Sequence, residues 1–346
     1  MKVLVVGLGS MGKRRIRNLK EIGIKDIFGY DIREDRRKQA SELYSISVED
    51  NFDKILNKHP DVMIISTSPD AHKKYAMSAI KNKINFFTEV NTMNPKDMEE
   101  IINEMKKDRV IGIPSSNLMF HPSIVKIKQF LDNKNIGKIL TFNFHSGSYL
   151  PDWHPWEKLS EYYVYDKETG GGRDQIMWEL SWIYWLLGKP TTVTSFTKKL
   201  GDFEAKIFDV YNLMIEFKSG TIGNVLVDVI QQPPGRTCEI IGERGTIKWD
   251  YENKFVEYFS TDNNEWRKFP ESDDYKGYEK ENKKPGFAIK DEGVNETYID
   301  EMKNLFSIIK GEKNPEFTFE DEKIILELMY AAEKSSETKI HEKLNV

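Results

Sequence analysis

The stretch Lys2-Val3-Leu4-Val5-Val6-Gly7-Leu8-Gly9-Ser10-Met11-Gly12 decides how this chain folds. It predicts an apolar strand that enters a Gly-x-Gly-x-x-Gly turn, and a helix-prone segment from Lys13 to Ile22 follows directly. In such a turn the first glycine allows a tight bend, the second lets a pyrophosphate approach the backbone, and the third lets the helix pack on the strand. The N-terminus of the helix adds unpaired N–H groups and a partial positive charge. The stretch therefore predicts a dinucleotide site formed by Gly7, Leu8, Gly9, Ser10, Met11 and Gly12.

An acidic residue, Asp31, closes the next apolar strand, Ile27-Phe28-Gly29-Tyr30. Its separation from the glycines is close to the ~20 residues expected for the acid that binds the ribose hydroxyls of a dinucleotide. A carboxylate repels a 2′-phosphate, so Asp31 favours NAD, while the neighbouring Arg33 leaves NADP as the alternative. The strand and helix around the glycines disfavour a second interpretation, a glycine-rich turn in an unrelated α/β protein.

The first 120 residues alternate predicted strands and helices, which is typical of an α/β Rossmann domain with a doubly wound parallel sheet. In open α/β sheets, ligands bind beyond the carboxyl ends of the strands. That rule places further residues beside the glycine turn. The candidates for cofactor contact are Asp31, Arg33, Thr67, Ser68, His72, Glu89 and Asn117. For His72, a helix-capping or solvated position is an equal alternative.

Residues 121–346 predict a second domain of the α+β class, which binds substrate and supports oligomerisation. A strand from Lys138 to Ser146, the glycine triplet 170–172 and a helix to Leu187 precede several strands separated by turns. This pattern predicts an open, largely antiparallel sheet. A charged and aromatic segment, 262–293, then precedes two closing helices. Such a sheet leaves one face to bury in a partner, so a homodimer or homotetramer is expected.

The composition excludes several classes of protein. The 346 residues carry a net charge of −5 with both signs interspersed, which favours neither nucleic acid nor an anionic membrane surface as a partner. The apolar runs have the length of strands, so no transmembrane helix is predicted. A strand at the N-terminus disfavours a signal peptide, and the single cysteine, Cys238, fits a reducing cytoplasm. No His, Cys, Asp and Glu set has metal-ligand spacing, and no metal is predicted.

Further motifs follow the glycine turn in a fixed order. They are Ser66-Thr67-Ser68-Pro69-Asp70-Ala71-His72, Asn117 before Phe120-His121-Pro122, Ile136-Gly137-Lys138, Gly170-Gly171-Gly172 and Gly242-Glu243-Arg244-Gly245-Thr246. In this order the chain resembles, over nearly its whole length, the glucose–fructose oxidoreductase / inositol dehydrogenase (Gfo/Idh/MocA) family of NAD(P)-dependent dehydrogenases. The resemblance implies hydride transfer between a nicotinamide and a ring carbon of a sugar, a cyclitol or a nucleotide sugar.

The chain departs from that family where the chemistry is usually performed. The family carries Glu-Lys-Pro after the fifth strand, and this chain has Glu89, Val90 and Asn91. Valine holds neither a charge nor a proton, so the role of the lysine is vacant or has moved. Val90 and Asn91 are retained as candidates for substrate contact.

The helix after the glycine triplet is the second departure. The family places an Asp and a His about one turn apart there, and this chain reads Arg173-Asp174-Gln175-Ile176-Met177-Trp178-Glu179. One register puts Trp178 at the His position, with Asp174 or Gln175 at the Asp position; a shift by one residue pairs Gln175 with Glu179. The two i,i+4 pairs lie on faces about 100° apart, so only one of them faces the nicotinamide. The candidates for substrate contact are Arg173, which suits a carboxylate or phosphate, Asp174, Gln175 and Trp178.

Hydride transfer from an alcohol also requires a base for the hydroxyl proton. Glu179 is the first candidate, because burial among aromatic residues makes a carboxylate more basic. An equal alternative is a structural glutamate that pairs with Arg173 or with a backbone group.

The aromatic loop 147–157 provides the other acid/base candidates, Tyr149 and His154. Asp152 and Trp153 of the same loop suit a sugar, because aromatic faces stack on sugar rings and carboxylates bond hydroxyls. The alternative is a loop that packs against a neighbouring subunit. Loops of this kind resemble those of family members that act in surface-glycan pathways.

Two functions therefore remain open from the sequence. The first is an NAD(P)-dependent dehydrogenase with a non-standard acid/base set, which the glycine turn, Asp31 and Glu89 favour. The second is a dinucleotide-binding sensor or partner subunit without dehydrogenase activity, which the missing lysine and histidine favour.

Overall fold

The computed structural model of the protein describes residues 1–270 and 292–344 and contains two compact units. One unit comprises Met1–Asn117 with Thr297–Lys323, and the other comprises Leu118–Glu296 with Ile324–Val346. This division differs from the predicted domains, 1–120 and 121–346, because a C-terminal segment belongs to the first unit. Of the segment 262–293, Glu265–Pro270 forms a strand, and residues 271–291 lie outside the described part of the chain.

The first unit contains a six-stranded, wholly parallel sheet. Its strands lie in the order β3-β2-β1-β4-β5-β6. From β1 the chain first adds strands on one side and then, from β4 onwards, on the other side of the sheet. This arrangement confirms the predicted doubly wound sheet. The strands are β1 Lys2–Val6, β2 Asp26–Tyr30, β3 Ser47–Glu49, β4 Val62–Ile65, β5 Asn85–Thr88 and β6 Gly112–Pro114. The helices between them are α1 Ser10–Glu21, α2 Glu34–Tyr44, α3 Phe52–Leu56, α4 Pro69–Lys81 and α5 Pro95–Asp108.

Burial on both faces explains why the central strands of this sheet read as continuous apolar runs. Residues 3–6 of β1 and 62–65 of β4 are completely buried. A later helix, α8 Glu292–Ile309, adds Met302, Leu305 and Phe306 to the same core. These contacts are the reason that Thr297–Lys323 belongs to the first unit.

The second unit contains a nine-stranded sheet in the order β14-β13-β12-β11-β7-β10-β9-β8-β15. The pairing is antiparallel except between β7 and β10, which run parallel. The prediction of an open, largely antiparallel sheet is therefore confirmed. The strands are β7 Ile139–Tyr149, β8 Pro190–Lys198, β9 Val210–Phe217, β10 Ile222–Asp228, β11 Ile230–Gly242, β12 Gly245–Asp250, β13 Phe255–Ser260, β14 Glu265–Pro270 and β15 Glu342–Lys343. Helices α6 Pro122–Asp132 and α7 Gly172–Leu187 belong to this unit, as does the part of α9 Phe319–Thr338 from Ile324 onwards.

The two faces of this sheet differ in burial. Phe142 and Phe144 of β7 pack edge-on against Trp182 of α7, so this helix covers one face. Alternate residues of neighbouring strands have exposed apolar side chains, as in Phe196, which is 56% exposed, and Met214, which is 60% exposed. The expectation that this second face meets a partner stays a prediction. Among the described residues, no helix combines the length and apolarity required to cross a membrane.

Candidate functional site

The turn between β1 and α1 has the close packing that its glycines require. Gly7 has φ of 88°, and a Cβ at this position would lie 2.5 Å from the carbonyl oxygen of Ser66. A Cβ at Gly12 would lie only 1.8 Å from the carbonyl oxygen of Gly7. At Gly9 the nearest atom to such a Cβ is Arg36 Nη1, at 3.5 Å. The backbone at Gly9 is therefore approachable beside the N-terminus of α1, which begins at the exposed Ser10 and the half-buried Met11.

Asp31 connects this turn to the end of β2. Its Oδ2 accepts the N–H of Leu8 at 2.7 Å, and its Oδ1 accepts the N–H of Arg33 at 2.8 Å. The guanidinium of Arg33 pairs with Asp35, whereas Nη1 of Arg36 lies 3.9 Å from Asp31 Oδ2. Arg36 is thus a basic side chain beside both Asp31 and Gly9, a place for which the sequence predicted Arg33. It occupies the third position of α2.

These residues fit a dinucleotide. At Gly9 the group beside the backbone is the end of the flexible Arg36 side chain, and Asp31 places a carboxylate at the adjoining strand end, where ribose hydroxyls bind in such sites. No group of three or more His, Cys, Asp or Glu side chains is placed to hold a metal ion, as far as the described residues extend.

The loop after β4 is fixed by a buried histidine. Nε2 of His72 lies 3.0 Å from the carbonyl oxygen of Thr67, and its Nδ1 lies 2.8 Å from Oδ1 of Asn91. His72 is 0% exposed, so it lies behind the loop and is not solvated. Burial lowers the pKa of His72. The neighbouring Ser68 is half-buried and precedes α4.

Glu89 at the end of β5 belongs to a buried ion-pair group. Its two carboxylate oxygens accept hydrogen bonds from Nε and Nη2 of Arg15, each at 2.7 Å, and Ser66 Oγ donates a hydrogen bond to Oε1 at 2.9 Å. Arg15 also pairs with Glu301 of α8 at 2.7 Å. Burial alone would lower the pKa of Arg15, but the two carboxylates raise it. Glu89 is therefore held inside the first unit by its cation.

Asn117 and the two residues after Glu89 have different environments. Asn117 is completely buried, and its Nδ2 donates to Thr297 Oγ1 at 3.1 Å. Val90 is half-buried, whereas Asn91 is completely buried. The Asn91 side chain is bonded to His72, Thr88 and Glu322, so of the two predicted substrate residues only Val90 reaches the surface of this unit.

In the second unit, the two candidate pairs of α7 have opposite environments. Gln175 and Glu179 are buried, with Gln175 Nε2 donating to Glu179 Oε1 at 3.0 Å. Asp174 and Trp178 are half-buried on the next face of the helix. Tyr163 donates its hydroxyl hydrogen to Asp174 Oδ2 at 3.1 Å. The pair that reaches the surface of the unit is thus Asp174 and Trp178.

Glu179 is enclosed by hydrogen-bond donors. It is 0% exposed, and its Oε1 accepts both Nε and Nη2 of Arg236, at 3.1 and 2.8 Å. Its Oε2 accepts the indole N–H of Trp182 at 2.8 Å. The guanidinium of Arg236 also lies 5.2 Å from the ring centre of Trp178. These contacts match the alternative of a structural glutamate, although the paired group is Arg236 and not Arg173 or a backbone group.

Arg173 is occupied by carboxylates of its own unit. Nη2 lies 2.7 Å from Glu333 and Nη1 lies 2.6 Å from Glu168, while the side chain is only 2% exposed. Burial alone would lower the pKa of Arg173, but Glu333 raises it. The proposed grip on a substrate carboxylate or phosphate would require these pairs to break, which the burial disfavours.

The aromatic loop folds around a small apolar cluster formed by Leu150, Val164, Ile207 and Val229. Trp153 packs against this cluster, and its Nε1 donates to Ser148 Oγ at 3.1 Å. His154 stacks on Tyr162 with ring centres 4.7 Å apart, and its Nδ1 lies 3.1 Å from a carboxylate oxygen of Glu157. Tyr149 and Asp152 are half-buried. The loop is therefore an ordered part of the second unit with its polar groups partly accessible.

The glycine triplet explains why this loop region lies beside α7. A Cβ at Gly170 would lie 2.1 Å from the Cα of Val164, so only glycine permits this approach. The contact brings Tyr163 next to Asp174. Tyr163 lies in an aromatic run just before the triplet, which is the sequence signal that could have identified it. Arg236 and Glu322 carry no comparable signal, since their partners are distant in sequence.

Sequence comparisons agree with this two-unit architecture. Residues 1–114 match the oxidoreductase family with an NAD-binding Rossmann fold, and residues 124–248 match the GFO/IDH/MocA C-terminal domain. Myo-inositol 2-dehydrogenase from Thermotoga maritima is 24% identical over 361 residues, covering 99% of this chain and 98% of that protein.

Solved structures show the same fold. Levoglucosan dehydrogenase in complex with NADH and levoglucosan superposes with a TM-score of 0.84 at 17% identity, covering 100% of both chains. The WlbA dehydrogenase from Bordetella pertussis, in complex with NADH and UDP-GlcNAcA, has a TM-score of 0.82 at 16% identity and covers 100% of this chain and 98% of that chain.

The parallel sheet, the glycine turn and the family matches together define an NAD-binding oxidoreductase. The chain belongs to the Gfo/Idh/MocA family, whose two domain families match in order along it.

Proposed function

We propose that this protein transfers hydride between NAD and a ring carbon of a sugar or nucleotide sugar. The observation that carries the proposal is the glycine turn with Asp31 bonded across it, in a chain whose relatives include inositol dehydrogenases. Levoglucosan and a UDP-sugar accompany NADH in proteins of the same fold. When bound, NAD supplies the hydride acceptor or donor.

The cofactor assignment to NAD rests on the placement of Asp31. Its carboxylate would repel a 2′-phosphate, and the N–H groups of Leu8 and Arg33 hold it at the strand end. Arg36 is the residue that would favour NADP, because its guanidinium lies 3.9 Å from Asp31. The carboxylate is the more buried of the two, at 4% against 32% exposed, and is fixed by two backbone donors. NAD is therefore the proposed cofactor, with weaker binding of NADP.

For the proton of the reacting hydroxyl we assign Asp174, assisted by Tyr163. Glu179 is enclosed by three donor side chains and has no exposed surface. Asp174 is half-buried in the first turn of α7, so its carboxylate can reach a ligand, and the partial positive charge of the helix N-terminus keeps it ionised, which is the form that accepts a proton. The Tyr163 hydroxyl donates to it at 3.1 Å, so a proton can pass between the two groups. His154 and Tyr149 remain secondary candidates.

Trp178 and the aromatic loop provide the surface for a sugar ring. Trp178 is half-buried, and Arg236 lies over its ring, which orients the indole. Trp153 and Asp152 of the loop are also half-buried. A sugar presents apolar C–H faces and hydroxyl groups, which match aromatic and carboxylate side chains respectively. A place in surface-glycan biosynthesis stays a prediction.

The alternative function, a dinucleotide-binding sensor without turnover, is favoured by one observation. Val90 stands where the family has lysine, and in one of the two registers Trp178 stands where it has histidine; neither side chain transfers a proton. Asp174 with Tyr163 supplies the acid/base group that this alternative lacks.

The test is nicotinamide turnover with a panel that includes inositols, levoglucosan and UDP-sugars. We expect a change in nicotinamide absorbance with at least one member, and a loss of about 10²–10⁴-fold in kcat for Asp174→Asn with NADH binding retained. Tyr163→Phe should cause a smaller loss. NADH binding without turnover across the whole panel would establish the sensor instead.

The exposed face of the nine-stranded sheet supports a homo-oligomer. Phe196, Met214 and Ile222 are 56%, 60% and 54% exposed on strands β8, β9 and β10. The strand register makes them diagonal neighbours on this face, and exposed apolar side chains grouped in this way mark protein interfaces. Light scattering of the wild type and of Met214→Lys with Phe196→Lys tests this proposal, with a smaller assembly expected for the variant. An unchanged mass would exclude this face from the interface.

A further inference from the structure

Three side chains form a buried row in the first unit. His72 of α4, Asn91 after β5 and Glu322 of α9 are 0%, 0% and 1% exposed. Asn91 lies in the middle, with Oδ1 2.8 Å from His72 Nδ1 and Nδ2 2.8 Å from Glu322 Oε2. The backbone N–H of Asn91 donates to Glu322 Oε1 at 3.2 Å.

With the Asn91 oxygen facing His72 and its NH₂ group facing Glu322, hydrogen bonding along the row requires both His72 and Glu322 to be charged. His72 Nε2 faces the carbonyl oxygen of Thr67, so it carries a hydrogen. Its Nδ1 faces an amide oxygen and would also need a hydrogen, which makes His72 a cation. Glu322 accepts two N–H groups and would be an anion. Two charges would then be buried without a direct contact between them, which is costly.

Rotation of the Asn91 amide by 180° removes the conflict. The amide oxygen and nitrogen have nearly the same shape, so the same positions serve with their roles exchanged. The NH₂ group then donates to His72 Nδ1, and the oxygen accepts hydrogens from Thr88 Oγ1 and from a protonated Glu322. Every group in the row is neutral and bonded.

The surroundings of the row favour the neutral arrangement. Burial lowers the pKa of His72 and raises the pKa of Glu322 to about 8. The charged groups nearest His72 are Glu89, which Arg15 neutralises, and Asp70. On α9, Asp321 is itself an acid and bonds Thr318, and Lys323 pairs with Glu99, while the Glu322 carboxylate bonds the uncharged Asn91.

We propose that Glu322 carries a proton at neutral pH and acts through Asn91 and His72 as a positioning residue for Thr67 and Val90. The positioning role rests on the proposed NAD site, whereas the location of the proton does not. When Glu322 loses its proton, Asn91 must turn its NH₂ group towards the carboxylate. His72 Nδ1 then faces an oxygen and loses its hydrogen bond. The loop at Thr67 and the chain at Val90 lose their common support.

The decisive variant is Glu322→Gln, because glutamine reproduces the protonated acid. Its NH₂ group donates to the Asn91 oxygen, and its own oxygen accepts the Asn91 N–H. We expect NADH affinity of the wild type to fall about tenfold between pH 7 and pH 9, one unit above the titration of Glu322. The affinity of E322Q should change by less than about twofold over this range. Equal pH profiles for the two proteins would overturn the proposal.

Glu301→Gln is the matched control, since Glu301 is a buried carboxylate of the same unit that faces the cation Arg15. Burial raises the pKa of Glu301, but its partner holds a full charge. E301Q should weaken folding and keep the alkaline loss of NADH affinity.

A second measurement locates the proton without any cofactor. With ¹⁵N-labelled histidine, the His72 side chain, assigned by His72→Asn, should show the neutral Nε2–H tautomer from pH 6 to pH 9. An imidazolium at pH 7 would contradict the neutral row, even if E322Q failed to fold. Absence of NADH binding, with the neutral tautomer present, would instead contradict the proposed function alone.

Discussion

Removal of the Glu179 carboxylate separates a structural role from a catalytic one. In Glu179→Ala, Arg236 keeps its charge at 12% side-chain exposure, and Gln175 and Trp182 each lose an acceptor. Breaking a buried ion pair by deleting one partner costs about 3–5 kcal/mol. We therefore expect the free energy of unfolding to fall by about that amount. Urea unfolding followed by tryptophan fluorescence measures it, since Trp178 and Trp182 lie beside the pair.

The double variant Glu179→Met with Arg236→Met is the control. Replacing both charges by apolar side chains of similar size leaves no unpaired ion, so it should recover most of the lost stability. The reasoning is refuted if E179A unfolds within about 1 kcal/mol of the wild type while its turnover falls by the 10²–10⁴-fold typical of a lost general base. That outcome would indicate that Glu179 is the catalytic base.

Three further predictions concern the first unit. Gly12→Ala should abolish NADH binding and lower the free energy of unfolding by about 1–3 kcal/mol or more, because its Cβ would lie 1.8 Å from the Gly7 carbonyl oxygen. Fluorescence titration measures the binding, and urea unfolding measures the stability. Normal NADH binding would contradict the turn geometry. Asp31→Ser should change the NAD-to-NADP affinity ratio by about tenfold or more towards NADP, since Arg36 stays beside the site; an unchanged ratio would remove Asp31 from the ribose site. Stability should fall as pH rises from about 6.5 to 8, by up to about 1.4 kcal/mol per unit, because Glu322 has its pKa raised to about 8 in the folded state and binds a proton there that the unfolded chain has released. Below about pH 6.5 the lowered pKa of His72 offsets this fall, since the unfolded chain then binds a proton at His72 while the folded chain still binds one at Glu322, so the curve should flatten. A flat or rising curve between pH 6.5 and 8 would contradict the assignment to Glu322.

Local patterns predicted the elements of the fold that depend on neighbouring residues. The apolar strand and glycine turn, 2–12, specify β1, its bend and α1 within one continuous stretch. The spacing from this stretch to the next apolar strand also predicted Asp31 beside the turn, and in the structure its carboxylate accepts the N–H of Leu8. The alternating strands after Leu187 predicted the antiparallel part of the second sheet. The parallel pairing of β7 with β10 joins residues far apart in sequence, so no local pattern announces it.

The candidate site was less predictable because its partners are distant in sequence. Helical spacing correctly separated two faces of α7, but the choice between them required Arg236, which lies on a strand of the sheet. Arg173 resembled a ligand for anions until Glu333 of α9 proved to be its partner. Glu322 likewise reaches Asn91 from the end of the chain. Ion pairs of this kind depend on tertiary contacts and leave no spacing signal.

Isotope transfer tests the central claim most directly. A sugar that gives turnover in the panel is prepared with deuterium at its ring carbons and incubated with NAD and the protein, and the reduced nicotinamide is analysed by mass spectrometry. The account predicts one deuterium per reduced nicotinamide with the wild type and a rate lower by about 10²–10⁴-fold with Asp174→Asn. Reduced nicotinamide without deuterium, or equal rates for the two proteins, would contradict it.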